Sequence, residues 1–147
     1  MNIPNTEEFD ELEEALDEQR IPIEALLSAY GDFLEKLARD GRFTTIPSAN
    51  LAYIHDCLKK STSLLIEKKE EDRRAIRNKL WALADENRET NPDLYHLARC
   101  TIIIYGKMED WDAAQDSPIF YCLFSLKKIF PNIEPEFVKY FKNSLLR

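Results

Sequence analysis

Two histidines and three cysteines are the residues of this sequence whose types could support metal binding or nucleophilic catalysis. Asp93 and His96 stand at positions i and i+3 of a predicted helix, and His55 adjoins Asp56. A zinc site in a protein uses three or four side-chain ligands, and no recognisable motif extends either pair to a third ligand. Cys57 follows His55 at i+2, a spacing that directs the two side chains to different faces of a helix. The pattern therefore predicts no metal, no cofactor and no catalytic residue.

Other enzyme signatures are also missing from the sequence. The three glycines lie too far apart to form a phosphate-binding loop, and no serine stands in a Gly-x-Ser-x-Gly motif. Carboxylates are plentiful, but an exposed carboxylate of ordinary pKa is a poor general acid or base near neutral pH. We therefore interpret the chain as a non-enzymatic domain. A deep pocket that holds His55 or His96 beside buried acids would instead favour a helical enzyme.

The stretch TEEFDELEEALDE, residues 6–18, concentrates acidic residues on the first predicted helix. It contains eight carboxylates and no lysine or arginine. Residues 1–40 hold 12 acids and 3 bases, a net charge of −9, whereas residues 41–147 hold 15 acids and 17 bases, a net charge of +2. A surface as acidic as the N-terminal part repels nucleic acids and anionic lipids and attracts basic proteins.

Two interpretations of this acidic helix are open. Like charges four positions apart, such as Glu14 and Glu18, destabilise a helix by roughly 0.2–0.5 kcal/mol per pair, and the helix dipole disfavours acids near the C-terminal end. Sequences often accept such costs at functional surfaces. On that interpretation the helix supplies the candidate partner-binding residues Glu11, Glu14, Asp17 and Glu18. On the other, the acids form a solvated face, or basic residues of the same chain neutralise them: Lys127, Lys128, Lys139 and Lys142.

A second candidate surface lies in KMEDWDAAQD, residues 107–116, within the longest predicted irregular segment. Trp111 is flanked there by acidic residues. An aromatic side chain can anchor a protein interface while neighbouring acids steer the partner, so Asp110, Trp111 and Asp112 are further candidate partner-binding residues. The alternative is a tryptophan that folds back onto the core.

Apolar residues at helical spacing recur along most of the chain and predict the all-α class. We expect a single compact domain over residues 1–147 with six to eight mostly antiparallel helices. Asn5 or Thr6 can cap the first helix, and the pairs Asn91–Pro92 and Ser117–Pro118 are typical of later helix starts.

Three further expectations concern single helices. The segment 61–63, Ser-Thr-Ser, is predicted to bend or break the third helix. Trp81 belongs to the apolar side of the fourth helix. The helix that follows Pro118 is apolar on nearly every side, so it is expected to be the most buried one.

Sorting signals and cysteines indicate where the protein works. The N-terminal residues lack the basic and apolar regions of a signal peptide, and no stretch approaches the roughly 20 apolar residues that span a bilayer. Cys57, Cys100 and Cys122 are odd in number and lie among apolar residues, so they are predicted to be buried thiols. These features together predict a cytoplasmic protein.

In its size and acidity the chain resembles the small immunity proteins that bacteria pair with toxins in contact-dependent inhibition and other polymorphic toxin systems. The resemblance implies a function in bacterial competition, with a basic, nuclease-type toxin domain as the partner. The acidic helix would then occupy the toxin's basic groove, and neither nucleic acid nor membrane is an expected partner. The alternative is a helical adaptor or regulatory subunit that binds a partner helix in an apolar groove. The oligomeric state stays open.

Overall fold

The computed structural model describes residues 6–106 and 117–147 of the chain. These residues form seven α-helices and no strand. In chain order the helices are α1 (Glu7–Glu18), α2 (Ile23–Arg39), α3 (Ser48–Ile66), α4 (Glu70–Asn87), α5 (Pro92–Ile104), α6 (Pro118–Leu126) and α7 (Glu134–Leu145). The predicted all-α class with six to eight helices is confirmed. Among the described residues, none of the helices is both long and apolar enough to cross a membrane.

Side-chain caps fix where three helices begin, as the sequence predicts. The Thr6 hydroxyl accepts a hydrogen bond from the Phe9 N–H (3.4 Å) at the start of α1. Asn91 and Ser117 cap α5 and α6 in the same way, each followed by a proline in the first turn. The cap side chain accepts a hydrogen bond from a first-turn N–H that the helix itself leaves unpaired. A proline in the first turn has no N–H, and no helical hydrogen bond is lost because that N–H would have had no partner within the helix.

The segment 61–63 does not break α3, which continues to Ile66, so the predicted break is wrong. The Ser61 hydroxyl donates to the Leu58 carbonyl (2.7 Å) and is thereby satisfied inside the helix. The corner falls later, where Lys68 takes a left-handed conformation with φ of 56° just before α4.

Two predictions about burial were wrong. Trp81 is 39% exposed, because α4 turns Leu80 and Ala84 towards its neighbours α3 and α5 instead. The helix α6 packs on one side against α2 and α5, so Tyr121 and Phe124 on its other side are 36% and 42% exposed. Neighbouring helices decide which side of an apolar helix is covered, and the apolar sequence of a single helix does not encode that choice.

An aromatic cluster fastens α1 and α2 to α7. Phe137 lies at its centre and is fully buried. Its ring centroid is 4.5 Å from that of Phe141, 5.6 Å from Phe33 and 6.4 Å from Phe9. Tilted and edge-on aromatic pairs at these distances add stabilisation beyond the burial of their area.

Two glycines should respond to alanine substitution with opposite signs. Gly41 follows α2 with φ of 73°, so alanine there should lower the free energy of unfolding by about 1 kcal/mol through backbone strain alone. A Cβ on Gly31, inside α2, would meet only the Ile104 side chain at 3.5 Å and Ser61 at 3.9 Å, both ordinary contacts. Gly31→Ala should therefore raise the free energy of unfolding by about 0.5–1 kcal/mol. Urea unfolding of both variants checks the pair, and equal signs would contradict it.

Candidate protein-binding surface

The apolar stripe of α1 is completely covered by the rest of the fold. Phe9, Leu12 and Leu16 are all buried, and α1 packs along α7. Because successive residues of a helix are about 100° apart, the side opposite this stripe must face outward. The stripe therefore determines which of the eight acids can meet another molecule.

We call the predicted residues Glu11, Glu14, Asp17 and Glu18 the acidic face. All four are exposed, and at about 100° per residue they fall within an arc of about 120° on the side away from the apolar stripe. The structure thus brings all four together on one surface. None of them has a lysine, arginine or histidine nitrogen within 4.0 Å in the part of the chain that the structure describes.

The four lysines that could neutralise the acidic face make other contacts in the described structure. Lys127 pairs with Glu134 at 2.6 Å, and the Lys128 ammonium lies 4.7 Å from the centre of the Phe124 ring. Lys139 and Lys142 line a shallow surface depression together with Glu8, which is not part of the acidic face. In the described structure these lysines therefore form no direct ion pair that would neutralise the acidic face.

Hydrogen bonds hold α1 in place along its length. At its start the Thr6 N–H donates to the Glu134 carboxylate (2.7 Å), and in its middle the Ser117 hydroxyl donates to Glu13. At its end the Arg147 N–H donates to the Gln19 side chain (3.3 Å). Together with the buried stripe these bonds make α1 a fixed support for the exposed carboxylates. The role of Glu134 at α1 was not foreseen, since its partner Thr6 lies 128 positions away in the sequence.

The anchor at Glu134 should make stability depend on pH. Burial alone would raise the pKa of this carboxyl, but hydrogen bonds from Lys127 and from Thr6 outweigh it and hold the pKa below its usual range. A carboxyl with a lowered folded-state pKa stabilises the fold above its unfolded pKa, and that contribution is lost as the pH falls through the folded-state pKa. The stability difference between wild type and Glu134→Gln should therefore be constant from pH 7 down to about 4.5, and it should shrink as the pH is lowered further, from about 4.5 to about 3. A difference that stays constant in urea unfolding across this lower range would contradict the assignment.

The surroundings of the histidines and cysteines differ from one residue to the next. His55 lies 3.7 Å from Glu35 and is half exposed, while the Asp93 carboxylate accepts a hydrogen bond from Thr45. Burial raises the pKa of the Cys100 thiol to about 12, so this thiol stays protonated at neutral pH. All three cysteines are buried free thiols, as predicted. Within residues 6–106 and 117–147, no group of three His, Cys, Asp or Glu side chains is placed to hold a metal.

Comparisons with protein-family models, with curated proteins and with solved structures gave no match to this chain. Functional inference therefore depends on its own residues.

Asp110, Trp111 and Asp112 lie outside the described residues, so their assignment stays a prediction. The residues on either side of that segment are held firmly. Before it, Arg73 donates to the Ile104 carbonyl (2.9 Å) and the Gly106 carbonyl (3.1 Å). After it, Ser117 caps α6 and also bonds Glu13 of α1. Hydrogen bonds to other helices thus hold the residues that come before and after the segment containing Trp111.

Proposed function

We propose that this chain is a non-enzymatic protein-binding domain, and that it acts as an immunity protein which neutralises a basic, nuclease-type toxin through the acidic face of α1. The observation that supports the proposal is the acidic face itself. Four carboxylates are exposed together on a firmly supported helix and form no ion pair among the described residues. The negative charge of this surface therefore forms no ion pair that stabilises the described fold.

The physical basis of the proposed inhibition is competition for a basic groove. A nuclease binds phosphates with lysine and arginine side chains, and clustered carboxylates can occupy those side chains in place of the substrate. Because the Debye length at physiological salt is about 8 Å, several carboxylates within one helix face act together on an approaching basic surface. Complementary charge of this kind raises the association rate and disfavours wrong partners.

The alternative function is that of a helical adaptor or regulatory subunit. Exposed apolar side chains favour it, above all Phe124 on α6 and Ile66 at the end of α3, which is 70% exposed. A partner helix could pack its apolar side on these residues, and the affinity of such a complex would hardly depend on salt concentration. Salt dependence therefore separates the two functions.

The experiment that tests the proposal is affinity capture from the lysate of the native cell at low salt. The tagged protein is loaded with lysate, and bound proteins are eluted with a salt gradient and assayed for nuclease activity with and without added protein. The proposal predicts one basic protein that elutes with salt and whose nuclease activity is inhibited by the pure chain. A bound partner that resists salt and leaves only with detergent would contradict it and support the adaptor.

A further inference from the structure

A second surface with the composition of a binding site lies on α4 and α5. The Arg99 guanidinium is 4.8 Å from the centre of the Trp81 ring and 5.8 Å from that of Tyr95, whose hydroxyl accepts a hydrogen bond from it (2.8 Å). Arg88 approaches the same Tyr95 ring at 5.9 Å. We call these four residues the arginine–aromatic patch. Trp81, Arg88 and Arg99 are exposed and Tyr95 is half-buried.

The two arginines of the patch keep their charge available. Among the other arginines in the described part of the chain, Arg42, Arg73 and Arg77 form ion pairs with carboxylates, whereas exposed ones such as Arg39 and Arg74 do not. Arg88 and Arg99 have no carboxylate within 4.0 Å among the described residues. Stacking on an aromatic ring holds a guanidinium in place while leaving most of its N–H donors free to bind a carboxylate.

Charged groups of both signs lie near the patch. His96 packs edge-on against Tyr95 with ring centroids 4.9 Å apart. Burial lowers the pKa of His96, and the nearby charges of Lys128 and Arg99 lower it further, while Asp93 opposes them. His96 is therefore neutral at pH 7, and the positive charge at this surface comes from the arginines and from Lys128.

We propose that the arginine–aromatic patch is a second protein-binding surface, and that it binds a partner segment in which one or two carboxylates stand beside an apolar side chain. Tryptophan, tyrosine and arginine are the residues that dominate binding energy in protein interfaces. The preformed guanidinium fork suits a carboxylate, and the exposed Trp81 ring suits an adjacent apolar side chain.

Nucleic acid fits this surface less well. Asp85 is exposed on α4 like Trp81, Glu89 is exposed next to Arg88 just after the end of α4, and the whole chain carries a net charge of −7. A continuous phosphate backbone would have to pass these carboxylates, whereas a short acidic peptide segment can avoid them. The proposal does not depend on the function proposed for α1, because the two surfaces share no residue.

The test is selection of a random peptide library displayed on phage against the intact protein, followed by affinity measurement of the enriched peptides. We expect the enriched peptides to carry aspartate or glutamate next to an aromatic or aliphatic residue. Arg99→Ala should weaken their binding about tenfold or more, whereas Arg39→Ala, an exposed arginine on α2, should leave it unchanged. Arg88→Ala serves as the second patch variant, since its side chain makes only one contact with a ring in the described structure.

Four results would overturn the proposal. The selection would do so if it enriched no peptide, or only peptides without acidic residues. The affinity measurements would do so if the peptides bound equally well to the patch variants and to Arg39→Ala, or if the protein bound an oligothymidine, used as a single-stranded DNA probe, more tightly than the peptides. Concentration-dependent self-association that is lost in Arg99→Ala would also overturn it, because the patch would then bind a second copy of this chain. Thermal unfolding of each variant separates loss of binding from loss of fold.

Discussion

Replacing Phe137 by alanine should lower the free energy of unfolding by about 3–5 kcal/mol, which is a large part of the stability of a domain of this size. The ring is fully buried and contacts aromatic side chains of α1, α2 and its own helix. Truncation removes buried apolar area and leaves a cavity that the surrounding rings can fill only in part.

Phe124→Ala is the matched control for this prediction. The substitution is chemically the same, but Phe124 is 42% exposed, so the loss should stay within about 1 kcal/mol. Guanidinium unfolding at pH 7 measures both variants. Equal losses would contradict the assignment of the Phe137 cluster as the centre of the core. Because Phe9 is one of its contacts, Phe137→Ala should also loosen α1 and weaken partner binding without changing any charge.

Arg73→Met should lower the free energy of unfolding by about 2–4 kcal/mol. The Arg73 side chain is buried, and it donates to the carbonyls of Ile104 and Gly106 at the C-terminal end of α5. Methionine preserves much of the volume but leaves these carbonyls without their donor, and a buried acceptor without a partner costs free energy.

Arg74→Met is the control for Arg73→Met. It is the next residue of α4, it is exposed, and its loss should change stability by no more than about 0.5 kcal/mol. Parallel urea unfolding of the two variants makes the comparison. A small effect at Arg73 would show that water or another side chain replaces its hydrogen bonds readily.

The sequence predicts well those features of the fold that depend on neighbouring residues. Thr6, Asn91 and Ser117 bond to backbone groups only three positions away, so their positions alone indicate where helices begin. The orientation of the acidic face likewise follows from helical periodicity, since burial of one stripe exposes the opposite side. Features that join distant segments could not be predicted in this way. The bond from Thr6 to Glu134 spans most of the chain, and a single sequence gives no signal for it.

The arginine–aromatic patch was missed for a related reason. Trp81 is an apolar residue at helical spacing, which favours a core position until the positions of α3 and α5 are known. The spacing of Tyr95 and Arg99 at i and i+4 was a local signal for one of its contacts. The contacts of Arg99 with Trp81 and of Arg88 with Tyr95 connect two helices and become visible only in the fold.

The most direct test of the proposed function compares two variants that carry the same net charge. One reverses all four carboxylates of the acidic face to lysine. The other reverses four exposed acids elsewhere that form no ion pair among the described residues: Glu24, Glu67, Glu71 and Glu86. Reversal on α1 should leave the fold stable, because it gives opposite charges to three of the like-charge pairs four positions apart (7 and 11, 10 and 14, 13 and 17) and leaves only the pair 14 and 18 alike.

Both variants and wild type are then used in the same capture from native lysate. If the acidic face binds the basic partner, the first variant will lose it, while the second will retain it close to the wild-type level because net charge alone is not the cause. Equal retention of the partner by both variants would contradict the account and leave the carboxylates of α1 as a solvated surface.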